Sequence, residues 1–229
     1  MILNHSLVAN GGDISWNQVI DTPGSSSVED VINIFLSHGQ SEENPIRIHD
    51  NYIQGVLSAA ETDDDYTGDG ITTDGASNDL RTATGFVDIY NNQVVHTANA
   101  GIGIAAGHDI IVTGNNIVSC GKDTNGQWIA TTSAQATFMW NAYNSNVFFN
   151  NSISGTSGGL VRPNSSNNPE IEDLWSPDAS TSANNVIGTN FFTDPCMSGG
   201  DVSLGPELAV YGQWLNKLTS ESQTIGAGQ

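Results

Sequence analysis

The sequence predicts an all-β fold, a solenoid of stacked repeats with a C-terminal capping helix. Three observations carry that expectation. The first is composition. Hydrophobic residues make up 37% and charged residues 13% of the 229, while Gly and Asn number 25 each. An ordinary globular chain has about 25% charged residues. Gly has no Cβ to clash at positive φ and Asn tolerates that region, so both favour turns. Recurrent short runs of Ile and Val and five Trp argue against disorder. Many turns between many short apolar strands is an all-β pattern.

The second observation is a repeated segment. It recurs as Ile14-Ser15-Trp16-Asn17-Gln18-Val19, Ile46-Arg47-Ile48-His49-Asp50-Asn51-Tyr52-Ile53, Val87-Asp88-Ile89-Tyr90-Asn91-Asn92-Gln93-Val94, Ile110-Ile111-Val112-Thr113-Gly114-Asn115-Asn116-Ile117 and Asn146-Val147-Phe148-Phe149-Asn150-Asn151-Ser152-Ile153. In each, apolar residues alternate before an Asn, one further residue and another apolar residue. The aligned asparagines, Asn17, Asn51, Asn92, Asn115 and Asn151, lie 34, 41, 23 and 36 residues apart. Periods of about 20–50 residues indicate stacked repeats. The third observation is a second short strand ahead of most of these segments, at residues 30–34, 69–73, 100–104 and 136–139. Each repeat then reads strand, turn, strand, Asn turn, short strand. The Asn is expected to turn the chain in a left-handed conformation, satisfy buried turn groups, and stack as a ladder.

Over about residues 6–195 these runs resemble the pectate-lyase-like superfamily of right-handed parallel β-helices. That superfamily includes polysaccharide lyases, polygalacturonase-like hydrolases, uronan epimerases and phage tailspikes. The resemblance implies a right-handed parallel β-helix and an extracellular protein that cleaves a polysaccharide. The alternative it implies is a non-catalytic carbohydrate-binding, adhesion or tailspike module. Residues 1–205 are read as the repeats, and 206–229 as a helix and tail of the same domain. Leu208, Tyr211, Trp214, Leu215 and Leu218 fall at helical spacing, and Pro206 suits a first turn. A solenoid end exposes core and strand edges, so the helix is expected to cap one.

Net charge is −20, from 25 acidic against 5 basic residues. That excludes nucleic acid, which needs a basic footprint, and disfavours an anionic membrane. No run approaches the roughly 18 apolar residues of a membrane span, and the first residues lack the pattern of a signal peptide. The surface suits cations and neutral or cationic polymers. Cys120 and Cys196 lack zinc-site spacing, which leaves a disulfide and two free thiols both open.

Aligning Ile32 with Ile71 and Ile102 sets Asp30 beside Asp69, with Ala100 on the next repeat. Adjacent strands lie about 4.8 Å apart, so two such carboxyls share a proton or a cation. Asp30 and Asp69 are therefore the candidate catalytic pair, with Glu29 beside them for substrate. Insertions at 21–29, 57–68 and about 122–135 are expected to flank this pair, and binding sites gather on such loops. Trp128 is placed to stack on a sugar, and Arg81, in the 76–84 insertion, to swing toward the acidic face. His38 and His108 occupy equivalent places two repeats apart. Gly107-His108-Asp109 resembles the Gly-His-Gly of polygalacturonase-like hydrolases, departing at its last residue, and makes His108 the third catalytic candidate. The Arg-Ile-Lys of those hydrolases and the Asp-Pro-His of uronan epimerases are absent. A hydrolase would use the two carboxyls as acid and base, whereas a lyase would use Ca²⁺ to acidify a uronate proton. Asp63-x-Asp65-x-Thr67-Gly68 resembles the start of a Ca²⁺ loop. Asp63, Asp65 and Asp69 are accordingly the metal candidates and Ca²⁺ the candidate cofactor.

Overall fold

The computed structural model describes residues 1–21, 28–55, 68–129, 135–180 and 183–223. The described strands build three largely parallel sheets, which the chain visits in the same order on each pass, and a small antiparallel pair of Met197–Ser198 with Asp201–Val202. The first sheet runs through Ile2–Asn4, Asp30–Phe35, Asp69–Asp74, Ile102–Ile104, Thr137–Met139 and Leu174–Trp175. The second has Gly12–Ser15, Ile46–His49, Gly85–Tyr90, Gly107–Thr113 and Ser152–Ser154 among its strands. The third stacks Gln18–Ile20, Tyr52–Gln54, Gln93–Val95, Asn116–Ser119 and Ser157–Pro163.

The repeat seen in the sequence sets this register. In the second sheet Ile14 pairs with Ile48, Ile48 with Ile89, Ile89 with Val112 and Val112 with Ile153. In the third, Val19, Ile53, Val94 and Ile117 follow one another in the same way. These side chains fill one shared interior with Ile34, Ile71, Ile102 and Ile104 from the first sheet. Side chains alternate across a strand, so a one-residue slip would turn the whole apolar set outward; burial of that set pins the pairing.

The asparagines form the expected ladder. The Asn17 side-chain amide donates to Asn51 Oδ1 at 2.8 Å, Asn51 to Asn92 at 2.9 Å and Asn92 to Asn115 at 3.0 Å. The same oxygens accept the backbone N–H of the Asn one pass earlier. The run stops at Asn115: Asn151 Oδ1 instead accepts Ile110 N–H at 3.2 Å and its amide bonds Gly107 O at 3.0 Å, while Asn185 accepts Asn151 N–H at 3.0 Å one pass on. One detail differs from expectation. The left-handed residue is the one before each ladder Asn: Trp16, Asp50, Asn91, Gly114, Asn150 and Asn184 all have φ between 55° and 64°. The preceding residue makes the corner, which frees the Asn amide to bond along the stack. Asn92→Ala removes an acceptor for two Asn51 donors and the donor to Ile48 O, in a fully buried place. It is expected to cost about 3 kcal/mol or more, read as a shift in urea midpoint at unchanged slope; a loss near 0.5 kcal/mol would deny the ladder its structural role.

The C-terminal helix spans Gly205–Ser220, and its placement corrects two expectations. Its buried stripe is Glu207, Val210, Trp214 and Leu218, while Leu208 and Leu215 are exposed. It also lies along the third sheet and covers no end of the stack. Tyr211 and Trp214 pack on Tyr52 at 4.9 and 5.5 Å between ring centroids. Trp214 Nε1 donates to Asp50 O at 2.8 Å, and Lys217 Nζ meets the Asp50 carboxylate. At the other end Glu207 accepts Cys120 N–H at 2.6 Å and bonds His96 Nδ1 at 2.9 Å. The third sheet presents a second apolar cluster on its outer face, Tyr52, Val95, Val118 and Val161, and the helix buries it. Cys120 and Cys196 form a disulfide inside this cluster.

Candidate functional site

The register that builds the first sheet also builds a pocket on it. Asp30 pairs with Asp69, Ile32 with Ile71, and Ile71 with Ile102, as the sequence alignment expected. Glu29, Asp30, Asp69, Thr72, Asp74, Ala105, Phe138, Trp140, Ala142 and Tyr143 line a cavity of about 340 Å³. The floor is a cross-strand row in which Thr72 pairs with Gly103 and Gly103 with Phe138. A side chain at Gly103 would overlap the Phe138 ring, so glycine is what lets that ring lie against the neighbouring strand. The wall comes from residues 140–143. Trp140 N–H bonds Ile104 O and Ala142 N–H bonds Ala105 O, which holds the wall to the end of the Ile102–Ile104 strand.

The carboxyls sit in distinct settings. Asp69 is 5% exposed, and its Oδ1 accepts Ala100 N–H at 2.5 Å. Burial, and next the charge of Asp30, push the Asp69 carboxyl well above the ordinary range. Asp30 accepts the Asn33 amide at 2.5 Å. Burial outweighs the hydrogen bonds from Thr72 and Asn33, and the nearby Glu29 and Asp74 charges add to it, so Asp30 is raised to about 6. Asp74 Oδ1 accepts Tyr143 O–H at 2.6 Å and Gly75 N–H at 2.8 Å. The pocket thus sets two carboxyls raised by burial beside a third that accepts a phenol O–H.

Other expected site residues are not brought here. His108 belongs to the second sheet, 3% exposed, between Phe149 and Phe86, with Nδ1 on Asp109 at 2.6 Å. His38 and His108 do flank Gly85 in register, two passes apart, and a Cβ at Gly85 would come within 2.5 Å of the His108 ring. The histidine is a packing element over a glycine. Arg81 is an exposed surface residue clamped on Asp79 at 2.6 Å. Trp128 lies on the third-sheet side, under Lys122 at 4.6 Å, with Nε1 on Asn167 O at 3.3 Å. Residues 122–129 therefore do not border the pocket. Asp63 and Asp65 fall outside the described residues, as do 22–27, most of the 57–68 insertion and 130–134. Asp69, the third metal candidate, lines the pocket. Among the described residues no three His, Cys, Asp or Glu side chains are grouped to hold a metal ion.

A second carboxyl pair, Asp173 and Asp194, meets over Gly159. Burial, then the Asp194 charge, raise Asp173 to about 7. The sign for stability follows directly. A carboxyl whose folded pKa lies above its unfolded value favours the folded state at low pH, and that contribution is lost as pH rises from the unfolded value through the folded one. For Asp30 the window runs from the ordinary value, 3.8, to about 6. With Asp173 extending the window to about 7, melting temperature is therefore expected to fall between pH 4 and 7. Asp30→Asn should raise neutral-pH stability by about 1–3 kcal/mol, with the gain gone near pH 4. A melting temperature that rises across that interval would refute the assignment.

No family model, curated protein or solved structure matches this chain.

Proposed function

We propose that the chain is a right-handed parallel β-helix that cleaves a polysaccharide by hydrolysis in the pocket on its first sheet. Parallel strands joined by crossovers are right-handed in about 98% of cases, and the repeating visit to three parallel sheets supports the solenoid reading. One observation carries the activity: the Asp30–Asp69 pair faces a cavity lined by Phe138, Trp140 and Tyr143. A protonated carboxyl with a pKa near 6 suits a general acid that protonates a glycosidic oxygen. A second carboxylate, Asp74 or Glu29, would act as base or nucleophile, and aromatic faces suit sugar rings. The described lining offers no Lys or Arg base, which favours hydrolysis over elimination. The disulfide favours an oxidising, extracellular setting.

The test is a screen of the purified protein on neutral, amino and uronate glycans between pH 5 and 7, reading new reducing ends and unsaturated products. Reducing ends without unsaturation are expected. Unsaturated products would replace hydrolysis by elimination. Binding without cleavage would make the chain a carbohydrate-binding module.

A further inference from the structure

We infer that Tyr143 is a positioning residue for the hydrolysis: its phenol holds Oδ1 of Asp74 and leaves Oδ2 as the oxygen that meets water or the sugar. The inference rests on the hydrolytic reading above and adds which carboxyl acts opposite Asp30. It starts from the strand. Side chains alternate along Asp69–Asp74, and Ile71 turns into the interior, so Thr72 and Asp74 share the outer face. A hydrogen bond between the Asp30 carboxyl and the Thr72 hydroxyl brings Asp30 to that face. Asp74 stands two positions beyond Thr72, about 6.6 Å along the strand. That gap is of the size that separates the two carboxyls of glycosidases, about 5–9.5 Å. Both carboxyls line the cavity.

The other two carboxyls are less suited. Asp69 is 5% exposed, with Oδ1 on Ala100 N–H. Glu29 precedes the Asp30–Phe35 strand, so the sheet register does not fix it. Asp74 is fixed at both main chain and side chain. Leu36 N–H and Thr84 Oγ1 donate to its carbonyl at 3.1 and 2.7 Å. Tyr143 O–H and Gly75 N–H donate to its Oδ1 at 2.6 and 2.8 Å. Two donors fill the lone pairs of Oδ1, and among the described residues none donates to Oδ2, whose lone pairs are left to a reactant.

Tyr143 is itself held in place. Trp140 and Ala142 are bonded to Ile104 O and Ala105 O, and Asn141 and Ser145 bond each other twice at 2.9 Å. Burial, and next the bond to Asp74, push the phenol up, so it stays a donor wherever Asp74 is charged. In the reaction Asp30 gives its proton to the glycosidic oxygen as that oxygen leaves the anomeric carbon. Asp74 Oδ2 either takes a proton from the water that attacks this carbon, or bonds the carbon first and is released by water. One water is consumed, two hydroxyls form, and the water or solvent returns the Asp30 proton. By either route Oδ2 must point at the reacting atoms, which the bonds to Oδ1 secure.

The experiment is steady-state hydrolysis by the whole chain, from pH 4 to 8, of whichever glycan in the screen above releases reducing ends. Wild type is compared with Tyr143→Phe, Asp74→Asn and the double variant, with a thermal melt of each to separate loss of fold from loss of rate. Tyr143→Phe keeps the ring and loses only the O–H. It is expected to lower kcat about 10–100-fold with KM within about threefold. The acidic limb of the rate profile should move to higher pH, because a donor to the Asp74 carboxylate is lost while Glu29, Asp30 and Asp69 still line the same cavity. In the Asp74→Asn background the same substitution should add less than about a twofold loss, since the two residues act as a unit. Tyr143→Phe that cleaves at the wild-type rate, or that slows the Asp74→Asn variant as much as it slows wild type, would overturn the inference while leaving hydrolysis in place. So would Glu29→Gln that costs more than Asp74→Asn. Absence of any cleavage would remove both readings.

Discussion

Asp30→Asn is expected to slow glycan hydrolysis by about 10²–10⁴-fold while changing KM only a few-fold. The argument starts from the register. Asp30 and Asp69 are neighbours because Ile32 and Ile71 must both face the interior. Two carboxyls so placed do not both ionise freely, and burial raises both. Asp30 is the less buried of the two and is raised to about 6, so it keeps its proton well above the ordinary carboxyl range yet can still release it. Asparagine keeps the shape and an acceptor oxygen but has no proton to give. The wild-type rate should fall as pH rises through about 6, and that limb should vanish in the variant. The same substitution is expected to stabilise the protein at neutral pH, because it removes an acid whose ionised form burial disfavours. Opposite signs on rate and stability are the signature of a strained functional carboxyl. A variant that cleaves at the wild-type rate would remove Asp30 from the chemistry, whatever its effect on stability.

Replacing both Cys120 and Cys196 by Ala is expected to cost roughly 4–5 kcal/mol by loss of chain-entropy restraint alone. The two are 76 residues apart in sequence and both fully buried. Cys120 follows the Asn116–Ser119 strand, in the middle of the third sheet, and Cys196 lies just ahead of the segment that leads into the helix. The bond therefore joins the start of the C-terminal segment to the sheet that the helix covers. Polar links also hold the helix itself: Glu207 to Cys120 N–H and His96, Gln18 to Tyr211, Trp214 to Asp50 O, and Lys217 to Asp50. With the bond gone, the C-terminal segment should detach before the sheets open. Denaturant unfolding would then lose a single transition, and limited proteolysis would cut first near residue 200. A loss under about 1 kcal/mol with one sharp transition would show that the helix packing suffices without the bond.

The strand repeat was legible because it rests on local physics. Alternation of Ile and Val with polar residues, and a turn residue at a fixed place, are properties of a few consecutive positions. Asn17, Asn51, Asn92 and Asn115 could be aligned for that reason, and with them Asp30 and Asp69. The corner residue was less legible: Trp16, Asp50, Asn91 and Gly114 share no side-chain type. Only the path of the backbone shows that they share a left-handed φ.

The rest of the pocket depended on contacts remote in sequence. Tyr143 reaches Asp74 across 69 positions, and Phe138 lies by Thr72 because Gly103 stands between their strands. The segment 140–145 carries no repeat signal, so no periodicity marked it as a wall. His108, Arg81 and Trp128 drew notice by residue type, but residue type does not say which sheet a side chain faces. The helix shows the same division. Its existence followed from spacing and Pro206; its buried face was set by Tyr52, Val95 and Val118, whose outward cluster on the third sheet needed cover. Strand order, the Asn ladder and the aspartate pair are thus written in short-range pattern. Which side chains meet around that pair, and which face the helix covers, is decided by burial of apolar surface among segments far apart in the chain.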